Sequence, residues 1–243
     1  AIHPNAKILN CSLLASYHNV RSYYLRVYEA KFVLGAIAAA LSESDEIGYI
    51  ADYPIYGTPT SINAFALGAQ MVNPRAQIVL EWSTLPGHSP EAALAARGVH
   101  IISSRDISAP HLESRAFGLY HEQDGVIANL AMPIWNWGKL YEGIVRSILT
   151  GAWSDEGEHN ADRAMNYYMG MSTDAIDIIC SQRLPARTRR LVDLLHERIR
   201  AGAFLPFVGP IVDQAGQVHV AADVALTPQE IMELIHTACA IME

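Results

Sequence analysis

Three short apolar runs, EIGYIA at 46–51, QIVLEW at 77–82 and VHIIS at 99–103, are separated by segments of helical period. That alternation constrains the fold more than any other feature of the chain. Runs that are apolar at consecutive positions, rather than at every second one, suit strands covered on both faces. Between the first two, residues 62–71 predict a helix closed by Asn73-Pro74, with Thr60 or Ser61 as its N-cap. Between the second and third, residues 90–97 predict a shorter helix that stops at Gly98. Strand, helix and strand at this spacing imply parallel β-α-β units and an α/β fold.

The same reading extends along the chain. Residues 7–14 read as a strand, and 23–41 as a helix with Leu25, Tyr28, Phe32, Gly35 and Ala39 near one stripe. Gly35, Ala36, Ala38 and Ala39 suit a close approach to a sheet. AFGLY at 116–120 and residues 126–131 read as further strands, followed by a helix bearing Leu140, Tyr141, Ile144, Val145, Ile148 and Leu149. Residues 185–201 form a helix in this reading. PFVGPIVDQAGQVHV reads as two strands about Gln214-Ala215-Gly216, and Thr227-Pro228 starts a terminal helix over 228–242. In open parallel sheets, ligands sit beyond the carboxyl ends of the strands. The segments after EIGYIA, IVLEW, HIISS and AFGLY are therefore the places to look.

Composition excludes several classes. The chain has 243 residues, 51% of them hydrophobic, 17% charged, and a net charge of −8. It can bury a large core, and its acidity argues against a nucleic-acid binder. Cys11, Cys180 and Cys239 are widely spaced and contain no metal or disulfide pattern, so they read as buried small hydrophobes. The apolar stretch at 33–41 is too short to span a membrane. The chain opens at Ala1 on a turn with a strand under way. It is expected to be a piece of a longer product, and its compartment is not legible at this terminus.

No nucleotide-binding, hydrolase or metalloprotease motif is present in the sequence, and no cofactor or metal is expected. His121, Glu122 and Asp124 in HEQDG fit no standard ligand spacing and read as a polar loop at a strand end, suited to hydrogen bonds with a ligand. Arg105 and Asp106 follow a buried strand, either as a solvated pair or as polar contacts of a cleft. The arginines at 187, 189, 190, 198 and 200 read as the solvated face of an amphipathic helix, with an anionic-partner patch as the competing reading. Trp135 and Trp137 flank Asn136 in IWNWGKLYEGIV. A helix turns each residue by about 100°, so the two indoles cannot both face one core.

Four blocks, RVYEAKFVLGAIAAAL, DEIGYIADYPIYGTPTSINAFALGAQMVNPRAQIVLEW, IWNWGKLYEGIVRSILTGAW and GAFLPFVGPIVDQAGQV, occur in that order. Together they resemble the basic membrane protein (BMP) family of solute-binding lipoproteins of ABC importers for purines and nucleosides. The resemblance implies a periplasmic-binding-protein type I fold: two Rossmann-like lobes with parallel sheets, joined by crossover strands, with the ligand between the lobes. It implies that residues 1–45 finish an amino-terminal lobe that is otherwise missing. Residues 46–130 then make the second lobe, and 131–243 supply crossovers, remaining helices and a hairpin. STLPGHSPEAALAARG is shorter than its family counterpart. The acidic and lysine positions that hold ribose in the family fall at Tyr120, with Glu122 close by, and at Trp135. A Trp in place of Lys suits a free base or another flat heterocycle.

The resemblance puts Trp135 against the ligand with Trp137 packed behind it, and makes Tyr56, Arg105, Asp106, Tyr120 and Glu122 the candidate polar contacts. It implies no enzyme and no cofactor. Its partners would be a purine-like small molecule and the membrane permease, with no nucleic acid. It implies an extracytoplasmic location, membrane-anchored through an amino-terminal segment. Three alternatives stand beside it. One is a ligand-sensing domain of a larger regulatory protein, which would be cytoplasmic. Another is a non-binding structural remnant, which predicts a homodimer covering an exposed sheet edge. The third, an enzyme acting on a nucleoside or base, would need a base among Asp106, Glu122 and His121.

Overall fold

A computed structural model describes residues 6–11, 20–54, 57–106, 115–152, 167–213, 215–233 and 241–242. The chain begins with β1 (Ile8–Asn10), β2 (Val20–Leu25), α1 (Val27–Leu41), β3 (Glu46–Ala51), α2 (Thr58–Val72) and β4 (Gln77–Trp82). It continues through α3 (Pro90–Ala96), β5 (Ile101–Ser103), β6 (Leu119–Gln123), β7 (Val126–Trp135), α4 (Trp137–Leu149), β8 (Tyr167–Met169) and β9 (Ile176–Cys180). The last elements are α5 (Ala186–Arg200), β10 (Ile211–Val212), β11 (Val218–Val220), α6 (Pro228–Glu233) and β12 (Ile241–Met242).

A seven-stranded sheet has the order β12-β4-β3-β5-β6-β7-β9. β3 pairs in parallel with both β4 and β5, and β12 with β4. This is the α/β arrangement that the three apolar runs predict. Its two faces are covered differently. Ile50, Val79, Leu94, Val99, Ile102 and Tyr120 pack on the α3 side. On the other side the Tyr49 ring meets Phe65 of α2 edge-on, with centroids 5.2 Å apart.

The chain divides into two units: residues 1–26 with 135–177, and residues 27–134 with 178–243. This division differs from the expected boundary after residue 45, because α1 belongs to the larger unit. The cause is a backbone-to-backbone approach of α1 and α2. A Cβ on Gly35 would lie 1.9 Å from the Phe65 carbonyl oxygen, and one on Gly68 would lie 1.9 Å from that of Phe32. α1 is buried from Tyr28 to Ala39, and Phe32 also meets Phe204, with centroids 5.3 Å apart.

The smaller unit contains a parallel three-stranded sheet, β1-β2-β8, and the amphipathic helix α4. Residues 23–25 are strand here, not the start of the helix read from the sequence: VRSYYL is rich in strand-forming side chains, and the helix starts at Val27. Tyr23 meets Trp137 and Tyr141 edge-on, and its hydroxyl lies 3.0 Å from that of Tyr141.

Other expectations need correction. AFGLY is not a strand over 116–120. The strand is β6, and it runs antiparallel to both β5 and β7. Asp124 and Gly125, at φ 52° and 78°, form the left-handed turn of a β6–β7 hairpin. The N-cap of α2 is Gly57 rather than Thr60 or Ser61; Thr60 is buried and donates to the Ile231 carbonyl at 2.9 Å. Cys11 is exposed and Cys180 half-buried, against the expectation of buried cysteines, and Cys239 lies outside the described residues. The described part of the terminal helix is α6, and residues 241–242 are strand. Among the described residues no helix is long and apolar enough to cross a membrane.

Two stability predictions follow from this packing. Gly35→Ala and Gly68→Ala each force the α1–α2 contact apart, with an expected loss of at least about 1–3 kcal/mol in urea unfolding. Gly143→Ala, in an exposed stretch of α4 with nothing within 4 Å of the new methyl, is the control and should gain about 0.5–1 kcal/mol. Tyr120 is 1% exposed, and its hydroxyl has no hydrogen-bond partner among the described residues. Tyr120→Phe should therefore leave stability unchanged or raise it by up to about 1 kcal/mol. A loss above that size would mean that the hydroxyl is satisfied.

Candidate functional site

Polar side chains gather at the carboxyl ends of β3, β4 and β5 in the larger unit. Asp52 follows β3, Ser83 and Thr84 follow β4, and Ser104, Arg105 and Asp106 follow β5. The backbone ties these ends together: Ser83 N–H donates to the Ala51 carbonyl at 2.9 Å. Ser83 Oγ donates to Asp52 Oδ1, and Thr84 Oγ1 to the Asp52 carbonyl at 2.6 Å. Arg105 Nε stands 3.6 Å from Asp52 Oδ1, with both side chains about half exposed. Such a pair contributes little to stability, but it orients an arginine at the strand ends.

Asp106 has a different partner. Its Oδ1 accepts from Lys31 Nζ of α1 at 2.5 Å. The lysine side chain is 3% exposed and that of Asp106 16%. Nζ also lies 3.4 Å from Ser103 Oγ and 5.3 Å from the centre of the Tyr49 ring. Burial acts to lower the lysine pKa, but the Asp106 carboxylate and Tyr49 outweigh it and the net shift is upward. The ammonium is therefore charged at neutral pH. Burial raises the Tyr49 phenol, with Lys31 opposing the shift and Asp106 adding to it. Lys31 is absent from the candidates drawn from the sequence. Its one signal there is that, with Glu29, it is one of two charged residues in the otherwise apolar helix VYEAKFVLGAIAAAL.

The structure thus brings Arg105 and Asp106 to the carboxyl edge of the sheet. It places Tyr120 and Glu122 elsewhere. Because β6 is antiparallel, Leu119 pairs with Ser103 at that edge and the strand then runs away from it. Glu122 N–H donates to the His100 carbonyl at 2.8 Å, at the amino end of β5. Its carboxylate Oε1 accepts from Gly125 N–H at 3.0 Å and closes the hairpin turn. Tyr120 packs in the α3-side core, where burial pushes its phenol pKa up, with Glu91 and Glu122 adding to the shift. HEQDG is therefore a hairpin, not a loop at the ligand end of the sheet.

Trp135 ends β7 and is half-buried, in the smaller unit. Trp137 opens α4 and is 39% exposed; its ring stacks on Tyr141 at 6.2 Å and meets Tyr23 edge-on. Asn136, between the two indoles, is pinned within the same unit. Its Nδ2 donates to the Asp174 carbonyl at 2.8 Å, and its backbone N–H to the Ala175 carbonyl at 3.0 Å. Tyr56 lies outside the described residues.

Residues 3–94 match the sequence model of the Bmp family, described as ABC transporter substrate-binding protein, PnrA-like. A purine-binding protein of Brucella abortus (strain 2308) is 27% identical over 226 residues, covering 88% of this chain and 62% of that protein. A protein of Haloferax volcanii named as an ABC transporter glucose-binding protein is 31% identical over 149 residues, covering 56% of this chain and 38% of that protein. The chain thus spans less than two thirds of the length of either relative. Among solved structures, a solute-binding protein of an ABC transporter system from Conexibacter woesei superposes with a TM-score of 0.50 at 15% identity, covering 79% of this chain and 66% of that one. A structure titled as a transcriptional activator of the comK gene from Bacillus halodurans superposes with a TM-score of 0.55 at 14% identity, covering 81% and 70%. At these identities the structural likeness concerns the fold alone, which is that of periplasmic-type binding proteins. Over residues 3–94 this chain is thus similar to the Bmp family, the PnrA-like substrate-binding proteins of ABC transporters.

Proposed function

We propose that the chain acts in the solute-binding component of an ABC-type importer and takes up a small planar solute, a purine base or nucleoside, reversibly and without covalent chemistry. The observation that carries this reading is the alignment of 88% of the chain with a protein named for purine binding. The geometry supports it in two ways. The carboxyl edge of the β4-β3-β5 sheet presents charged and hydroxyl groups held by one another, which suits orientation of a polar solute. Trp135 supplies an indole on which a flat ring can stack. Arg105 and Asp106 are the contacts proposed at this edge, and Trp135, in the smaller unit, is a stacking surface proposed by itself. Tyr120 and Glu122, in the core and the hairpin turn, are not. Delivery would be to a membrane permease outside the cytoplasm.

Binding by a regulatory sensor would use the same step. The likeness to the comK activator structure is one of fold and does not favour that reading. The glucose-binding name of the second relative makes a sugar the competing solute.

The test is calorimetry and thermal unfolding of the chain with adenine, hypoxanthine, guanosine, adenosine and glucose. A purine at a hundredfold excess over Kd should stabilise by about 2.7 kcal/mol. Trp135→Ala should weaken that binding by about 1–3 kcal/mol, roughly 5- to 150-fold, if the ring stacks. Binding of glucose alone would reassign the solute. No heat and no shift with any of the five would sink the proposal for this chain.

A further inference from the structure

Lys31 is the most deeply buried ammonium at the carboxyl edge of the sheet, and fold stability gives no sufficient reason for it. Buried ion pairs can commonly be replaced by apolar side chains of similar volume at no cost. Near it, α1 is mostly apolar, with Tyr28, Ala30, Phe32, Val33 and Leu34 buried and Glu29 its one other buried charged residue. What the pair does supply is geometry. Lys31 Nζ is itself held, by Ser103 Oγ at 3.4 Å and the face of Tyr49 at 5.3 Å, so it is a fixed point rather than a swinging surface charge. From that point it grips one oxygen of Asp106, at 2.5 Å. The backbone just before Asp106 is pinned independently. Ser104 N–H donates to the Gly118 carbonyl at 2.8 Å, and Gly118 N–H to the Arg105 carbonyl at 2.5 Å. The segment 104–106 is therefore held by its backbone on one side and by a carboxylate on the other. No described side chain other than Lys31 makes a hydrogen bond to Asp106.

We propose that Lys31 is a positioning residue of the binding site: it fixes the Asp106 carboxylate so that its second oxygen accepts a hydrogen bond from an N–H or O–H group of the solute. This rests on the solute-binding reading above. A held acceptor loses little freedom when the solute arrives, which is the general advantage of preorganisation. Lys31 acts through Asp106 and does not itself touch the solute. Both charges at this point are paired, so the site favours an uncharged donor-bearing molecule over an anion.

The test is a double-mutant cycle read as ligand affinity, using Lys31→Met, Asp106→Asn and the double variant, each titrated calorimetrically with adenosine, adenine and glucose. Each single change is expected to weaken the bound solute at least about tenfold. The double variant should bind no more weakly than Asp106→Asn alone, since Lys31 has nothing left to position. Losses that multiply in the double variant, or single variants that bind like the wild type, would overturn the inference while leaving the solute-binding reading intact. A wild type that binds none of the three probes sinks both. Lys31→Met leaves a carboxylate without its cation and is the variant at risk of failing to fold. The double variant has no such charge, and its comparison with Asp106→Asn then decides the matter. Equal affinity supports the role, and a further loss refutes it.

Discussion

The approach of α1 to α2 over Gly35 and Gly68 is the contact on which the larger unit depends. Two helices can bring backbone against backbone only where no Cβ intervenes, and here each glycine faces a carbonyl of the other helix. That closeness makes α1 an interior helix, buried over most of its length, above a sheet whose opposite face is covered by α3. A helix so placed has little room for polar groups. Lys31 is accommodated because it lies near the start of α1, level with the strand ends, where Asp106 and Ser103 can meet its ammonium.

The electrostatics of the strand ends follow from that placement. The ammonium of Lys31 is desolvated, and only the adjacent carboxylate and the Tyr49 ring keep it charged. The Arg105–Asp52 pair, by contrast, is open to water and holds its partners loosely. The edge of the sheet thus has a rigid inner pair and an adaptable outer pair. Recognition sites commonly combine these two properties, an acceptor fixed in place and a neighbour able to adjust.

The hairpin of β6 and β7 decides which residues share that edge. A parallel strand after β5 would have delivered Glu122 to the ligand end of the sheet. The Asp124-Gly125 turn reverses the chain, and Glu122 instead closes the turn at the far side. An Asp-Gly pair between two strand-like runs is itself a hairpin signal. It was legible in the sequence and was outweighed there by the regular strand–helix alternation before it.

The sequence by itself determined the class of the fold. The limits of β3 and β4 are those read from apolar runs, because each run is apolar and buried through its middle and starts at a polar residue, Glu46 or Gln77, that marks its edge. It also carried the resemblance, since two of the four blocks lie within residues 3–94, which match the Bmp model, and the other two lie beyond them. Only the tertiary structure decided the direction of β6, the membership of α1 in the larger unit, and the partner of Asp106. The reason is the same in each case. Periodicity reports how deeply a segment is buried, whereas strand direction and charge pairing depend on residues far apart in the chain. Lys31 and Asp106 are 75 positions apart, and no local pattern could join them.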